Sequence, residues 1–98
     1  MKLTDYAARF THSHGDDRTT HLRFRCPCRP DCTVDIVVSF TPALDGSETP
    51  AAWKPWRRES GSTLEDLTLS PSIHLHPSPH ENCAGWHGFL KNGQLETC

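Results

Sequence analysis

"CAGWHGFLKNGQLETC", residues 83–98, ends the chain, and its centre decides the fold class. Asn92-Gly93 lies between two apolar runs, "GWHGFL" (85–90) and "QLETC" (94–98). Asn and Gly accept the positive φ of the tight turns that match the twist of two antiparallel strands. The segment therefore predicts a β-hairpin. The same stretch raises a chemical question. Cys83 and His87 stand four residues apart at the entrance of that hairpin, a spacing that can serve as half of a metal site.

Upstream segments extend the β reading. "TVDIVVSF" (33–40) is rich in β-branched residues, and Val34, Ile36 and Val38 share one face. "HLRFRC" (21–26) alternates Leu22, Phe24 and Cys26 with Arg23 and Arg25, the pattern of a half-buried strand. Between them "CPCRPDC" (26–32) must turn, because Pro27 and Pro30 lack an N–H and fix φ. Residues 21–40 thus predict a second hairpin. "LTLSPSIHLH" (67–76) also alternates, with Pro71 consigning it to a sheet edge or a bulge. "PWRRES" (55–60) predicts a short strand. "TDYAARF" (4–10) offers a short helix capped by Thr4, too short to stand alone. The expectation is a mainly β protein: a mobile segment over 1–18, then one small domain of hairpins over 19–98, tied by a Cys/His zinc site.

The composition explains why a tie is expected. Only 35% of the 98 residues are hydrophobic, and the mean hydropathy is −0.60. A domain this size buries roughly 60–65% of the surface its unfolded chain exposes. Small scaffolds with thin cores add metals or disulfides. The chain has five cysteines, an odd number, and "MKLTDYAARFTHSH" (1–14) lacks the apolar stretch of a signal peptide. No apolar run approaches the ~18 residues of a membrane helix. These features predict a reducing cytoplasm, free thiols, clustered cysteines on a metal, and no membrane partner. A net charge of −2 and a pI near 6.3 argue against a nucleic-acid binder held by bulk electrostatics.

The ligands fall into two groups about 50 residues apart. Cys26, Cys28 and Cys32 share one turn; Cys83 and His87 enter the last hairpin. Structural zinc takes four Cys or His ligands, often as two local pairs. Residues i and i+2 of an extended strand hold their Cβ atoms roughly 6–7 Å apart. Cys26 and Cys28 can therefore share an ion only across a tight turn at Pro27. Cys28, Cys32, Cys83 and His87 are the expected set, with Cys26 as the alternate fourth ligand. Cys98 reads as a terminal thiol. His74 and His76 would share a strand face, and with His80, His87 and Glu81 as general base they would make an open catalytic metal site. No His-Glu-x-x-His signature supports it, and a solvated strand face is the simpler reading. His12 and His14 fall in the expected mobile segment. Trp53, Trp56, Arg57 and Arg58 form an aromatic and basic cluster of the composition that dominates protein interfaces.

"FRCPC…C", a central Trp, "LTLSPSIHLH" and "C…WHGFLKNGQLETC", spanning about residues 21–98, resemble a family of small proteins of actinobacterial phages and bacteria. Many of its members carry the label "ammonia monooxygenase". That name belongs to a membrane copper enzyme, and nothing in this chain spans a membrane. The resemblance implies a small β domain with a Cys/His zinc site, matching Cys26, Cys28, Cys32, Cys83 and His87. Family members usually have a tighter Cys-Pro-Cys-Gly-Cys; here Arg29-Pro30-Asp31 intervene before the third cysteine, which leaves the ligand set open.

The functional expectation is a small zinc-stabilised, phage-encoded interaction protein that binds a host or phage protein through Trp53, Trp56, Arg57 and Arg58. One alternative is a metal-dependent hydrolase or oxidoreductase built on His74 and His76. A nucleic-acid adaptor is the other.

Overall fold

A computed structural model describes residues 1–98. The chain is mainly β and forms a single curled sheet of seven strands. They are β1 (Arg9–Thr11), β2 (His21–Arg25), β3 (Asp35–Thr41), β4 (Trp56–Ser60), β5 (Thr68–Leu75), β6 (Trp86–Lys91) and β7 (Gln94–Thr97). Spatial order equals chain order. Every neighbouring pair is antiparallel except β3 and β4.

Both predicted hairpins form. Asn92 and Gly93 turn between β6 and β7 with φ of 49° and 72°. A Cβ at Gly93 would run into the backbone carbonyl of Glu65, so glycine is required there for space as well as for φ. Alternation sorts the strand residues as read. Leu22, Phe24, Ile36, Val38, Phe40, Leu69, Ile73, Leu90 and Leu95 face inward and are buried. Phe24 of β2 meets Trp86 of β6 edge-to-face at 6.2 Å, so the two ends of the sheet close on a shared core.

Two parts of the N-terminal segment join the sheet: Lys2 bridges to Gln94, and Arg9–Thr11 form β1, while residues 12–18 make a loop between β1 and β2. Leu3 is fully buried, the N–H of Leu3 bonds to the carbonyl of Gly93, and the N–H of Leu95 bonds to the carbonyl of Met1. Phe10 of β1 packs edge-on against Phe40 at 6.1 Å. Short segments with a few apolar residues have no stability alone, but an open sheet edge offers them unpaired N–H and C=O groups. The predicted helix is one 3₁₀ turn, Leu3–Tyr6, without a side-chain cap.

Two irregularities position the functional groups. First, the join between β3 and β4 is short, with only Phe40↔Trp56 and Thr41↔Arg57 paired. Before Trp56 the chain turns away through Ala51–Trp53, with Lys54 at φ 50°. Residues Ser72–Leu75 of β5 therefore run past the start of β4 and face a gap, with β3 on its far side. Second, β5 advances four residues from Leu69 to Ile73 while β6 advances only two, from Leu90 to Gly88. Pro71 lies in this irregularity, at the bulge expected from a proline lacking a ladder donor, although β5 is a central strand.

Candidate active site and metal centre

The turn between β2 and β3 and the loop between β5 and β6 meet at the end of the molecule that β4 does not reach. Their cysteines converge there. The Sγ atoms of Cys26, Cys28, Cys32 and Cys83 all lie within 4.8 Å of one another. Cys83 Sγ is 3.7 Å from Cys26 Sγ and 3.9 Å from Cys28 Sγ. These separations are far beyond a disulfide bond. They match the edge of a tetrahedron with bonds of about 2.3 Å, roughly 3.8 Å. The four thiols could therefore hold a metal ion with little rearrangement.

Their protonation follows from burial. Burial pushes the Cys26 thiol up, and it pushes Cys32 up as well. For Cys28 burial also works upward, but it is outweighed by the backbone N–H of Ala84 and by the thiols of Cys32, Cys26 and Cys83, which together lower it to about 7. Neighbouring thiols thus favour a thiolate at Cys28, the form a metal binds. The backbone N–H of Gly85 donates to Cys83 Sγ at 3.4 Å and fixes the position of that sulfur.

His87, weighed above as the fourth ligand, is not among the clustered donors; Cys26 takes the fourth place. The tight turn at Pro27 brings Cys26 and Cys28 within reach of one ion, which an extended strand would not. His87 is carried on the outer face of β6, because β6 alternates buried Trp86, Gly88 and Leu90 with exposed His87, Phe89 and Lys91. Its Nε2 lies 2.9 Å from Ser72 Oγ on β5. His74 stands directly opposite His87 across the strand pair, ring centroids 4.9 Å apart, and His76 lies 4.5 Å from His74. The N–H of Cys98 bonds to the carbonyl of His87, so the backbone of His87 faces β7. His74 and His87 are then an opposed pair that exchanges no main-chain bonds, the arrangement that brings side chains closest. No carboxylate pairs with either ring.

Ser72 is held from behind. The indole N–H of Trp56 donates to its carbonyl at 3.2 Å. Ser72 is the one serine of eight whose hydroxyl meets a histidine ring nitrogen. The comparable contact of Thr20 Oγ1 with His21 Nδ1 at 2.7 Å involves a threonine that is fully buried and closed to substrate. Neither cleft of the molecule contains the pair. A cleft of about 390 Å³ lies beside Tyr6, Arg25 and Pro27, and one of about 280 Å³ beside Lys2, Glu65 and Gln94. The Ser72–His87 pair is on open strand surface.

The predicted interface cluster is dispersed. Trp53 packs on His21 at 5.2 Å. Arg58 is spent internally, donating to the carbonyls of Pro42, Ala43 and Gly61 at 2.7–2.9 Å. Trp56 is half-buried against Ser72, and Arg57 is exposed on the outer face.

The family model of the bacterial ubiquitination-like system serine protease, BubE, matches residues 2–98. The chain belongs to the BubE family. No curated protein and no solved structure matches it. The family's description overturns the expectation of a zinc-stabilised interaction protein, because BubE proteins are described as enzymes. The hydrolase alternative is nearer, although it relied on His74 and His76 as ligands of a catalytic metal, whereas the BubE description specifies a serine. Sequence reasoning passed over Ser72 because a serine in "SPSIH" has no local mark. The available signal was register: two neighbouring predicted strands, one with Ser72 and His74, the other with His87.

Proposed function

We propose that the chain is a serine protease of a ubiquitination-like system, with Ser72 as nucleophile and His87 as general base. The observation that carries this reading is the 2.9 Å contact between Ser72 Oγ and His87 Nε2, on a face open to a polypeptide. As Ser72 Oγ attacks a peptide carbonyl, its proton passes to His87 Nε2. His87 then returns the proton to the departing amine, leaving an acyl ester on Ser72, and activates the water that hydrolyses it. The His74 ring packs against the His87 ring at 4.9 Å and limits how it can turn, without the hydrogen bond that a carboxylate makes in other triads. The substrate is the protein partner in this reading. Trp56 and Arg57 flank Ser72 and contact it there. Nothing in the mechanism calls for nucleic acid or a membrane.

The ion at Cys26, Cys28, Cys32 and Cys83 is proposed to be zinc, in the reducing cytoplasm. Cys26, Cys28, Cys32 and Cys83 would hold it, and an ion bound by four thiolates would supply folding energy rather than chemistry. It would fasten the β2–β3 turn, which carries Cys26, Cys28 and Cys32, to the Cys83 loop that leads into His87.

A fluorophosphonate, which phosphonylates activated serines with loss of fluoride, tests the nucleophile. Labelling is expected on Ser72 alone, lost in Ser72→Ala and in His87→Ala, with both variants folded. Equal labelling of Ser72→Ala would defeat the assignment.

A further inference from the structure

Strand register leaves part of β5 without a neighbour. Ile73 and Leu75 pair with Gly88 and Trp86 of β6, so their polar groups are used on that side. Ser72 and His74 point their N–H and C=O groups the other way, toward β4. The bond from the Trp56 indole to the Ser72 carbonyl marks this direction. But pairing of β4 with β5 stops at Arg57↔Ser70, and the chain has turned away before it reaches the level of His74. His74 is exposed. Across the gap stands β3, where the N–H of Phe40 bonds to Thr20 and the N–H of Cys26 to Val34. Phe40 and Val34 therefore face β2, and by alternation Val37 turns its main chain toward the same gap.

The side chains around this edge are unusual for the molecule. Its exposed large apolar residues are Met1, Val37 and Phe89. Carried through β4, where Thr41 pairs with Arg57 and Arg57 with Ser70, the register sets exposed Val37 of β3 level with His74. Phe89 lies on the same face, two residues beyond His87. Two of the three thus stand on strands to either side of β5, Val37 on β3 and Phe89 on β6.

We propose that the substrate binds as an added β-strand on the free edge of β5, its main chain pairing with the N–H and C=O of His74 in the space β4 leaves open. The occupant is an extended, unfolded segment of polypeptide, such as a tail or a loop. Its outer-face side chains rest against Val37, and its scissile carbonyl lies over Ser72. Main-chain pairing supplies affinity on a surface that has no pocket, and alternate side chains supply selection. This inference rests on the protease reading above and specifies how that site takes its substrate.

Three phosphonate probes of the serine separate the two ideas: an acetyl-capped aminoalkyl diphenyl phosphonate, the same warhead on a tripeptide of alanines, and that tripeptide with N-methylated amides. The tripeptide probe should label Ser72 about tenfold faster than the acetyl probe, the size expected of two added main-chain hydrogen bonds. N-methylation should erase the gain. In the tripeptide adduct, hydrogen exchange at the His74 amide should slow, while that of Leu75, already facing β6, should not change. Equal labelling by all three probes, or an unprotected His74 amide in the adduct, overturns strand addition and leaves the Ser72 assignment standing. Labelling by a simple fluorophosphonate with none by the tripeptide probe overturns it too. If no probe labels Ser72, the protease reading fails and this proposal with it.

Discussion

Cys83 and His87 are four residues apart on the way into β6, yet Cys83 is 3% exposed among three other thiols while His87 stands in solvent beside a hydroxyl. The first is gathered by turns, the second by strand faces. Turns can bring sulfurs from distant parts of the chain into a closed shell, from which water is excluded and where an ion contributes to folding. Strand faces cannot enclose, but they hold opposed side chains at a fixed separation and leave one side free for a reactant. The proposed stability centre and the proposed reactive centre are therefore separable within one loop and one strand, and substitutions should affect them differently.

The largest effect is expected at the cysteines. Cys83→Ser should release the metal and unfold the domain, since structural zinc contributes on the order of 10 kcal/mol in small peptides at neutral pH. Metal content by elemental analysis, about one equivalent in the parent protein, and circular dichroism check this. His87→Ala should keep both metal and fold. Loss of the metal in His87→Ala would erase the distinction between the two centres. Next, Ser72→Ala should reduce peptide hydrolysis by about 10³-fold or more, the scale seen when a serine nucleophile is removed, with an unchanged melting temperature. Trp56→Phe comes third. It removes the indole donor to the Ser72 carbonyl, so stability should fall by about 1 kcal/mol, and turnover should fall several-fold as the serine loses its support. An unchanged rate would show that the backbone of Ser72 needs no anchor.

The smallest effect lies far from both centres. The side-chain hydrogen bond from Arg18 holds Asp16 down to about 2, from 3.8, and Arg18 also reaches the carbonyl of Glu48 at 2.7 Å. A carboxylate whose pKa is lowered by folding stabilises the fold above its unfolded value and loses that contribution as the pH falls through the folded one. The melting temperature of the parent protein should therefore drop between pH 4 and pH 2 more than that of Asp16→Asn. Identical slopes would mean that the Asp16–Arg18 contact is fully screened by solvent.

Much of this molecule can be read along the chain, because the relevant physics is local. Alternation in 21–26 and 33–40, and Asn92-Gly93 between apolar runs, give strands and a hairpin because side-chain period and turn φ are properties of neighbouring residues. The cysteine cluster is legible for a similar reason: thiols crowded on a proline turn in a thin-cored protein have few other uses. What remained closed was whatever depends on the pairing of distant segments. The burial of Leu3 needs the carbonyl of Gly93 and the edge of β7, 90 residues along the chain. The place of Cys26 as fourth thiol depends on the shape of the turn at Pro27. The Ser72–His87 contact exists only because β5 gains two residues on β6 at Pro71 and then resumes pairing, with His74 opposite His87. A register shifted by one residue would place Ser72 and His87 on opposite faces of the sheet. Composition and alternation determined that this chain is a small β protein with a cysteine centre. Strand register alone decided which serine meets which histidine, because register is set by the packing of the whole sheet and by no residue in isolation.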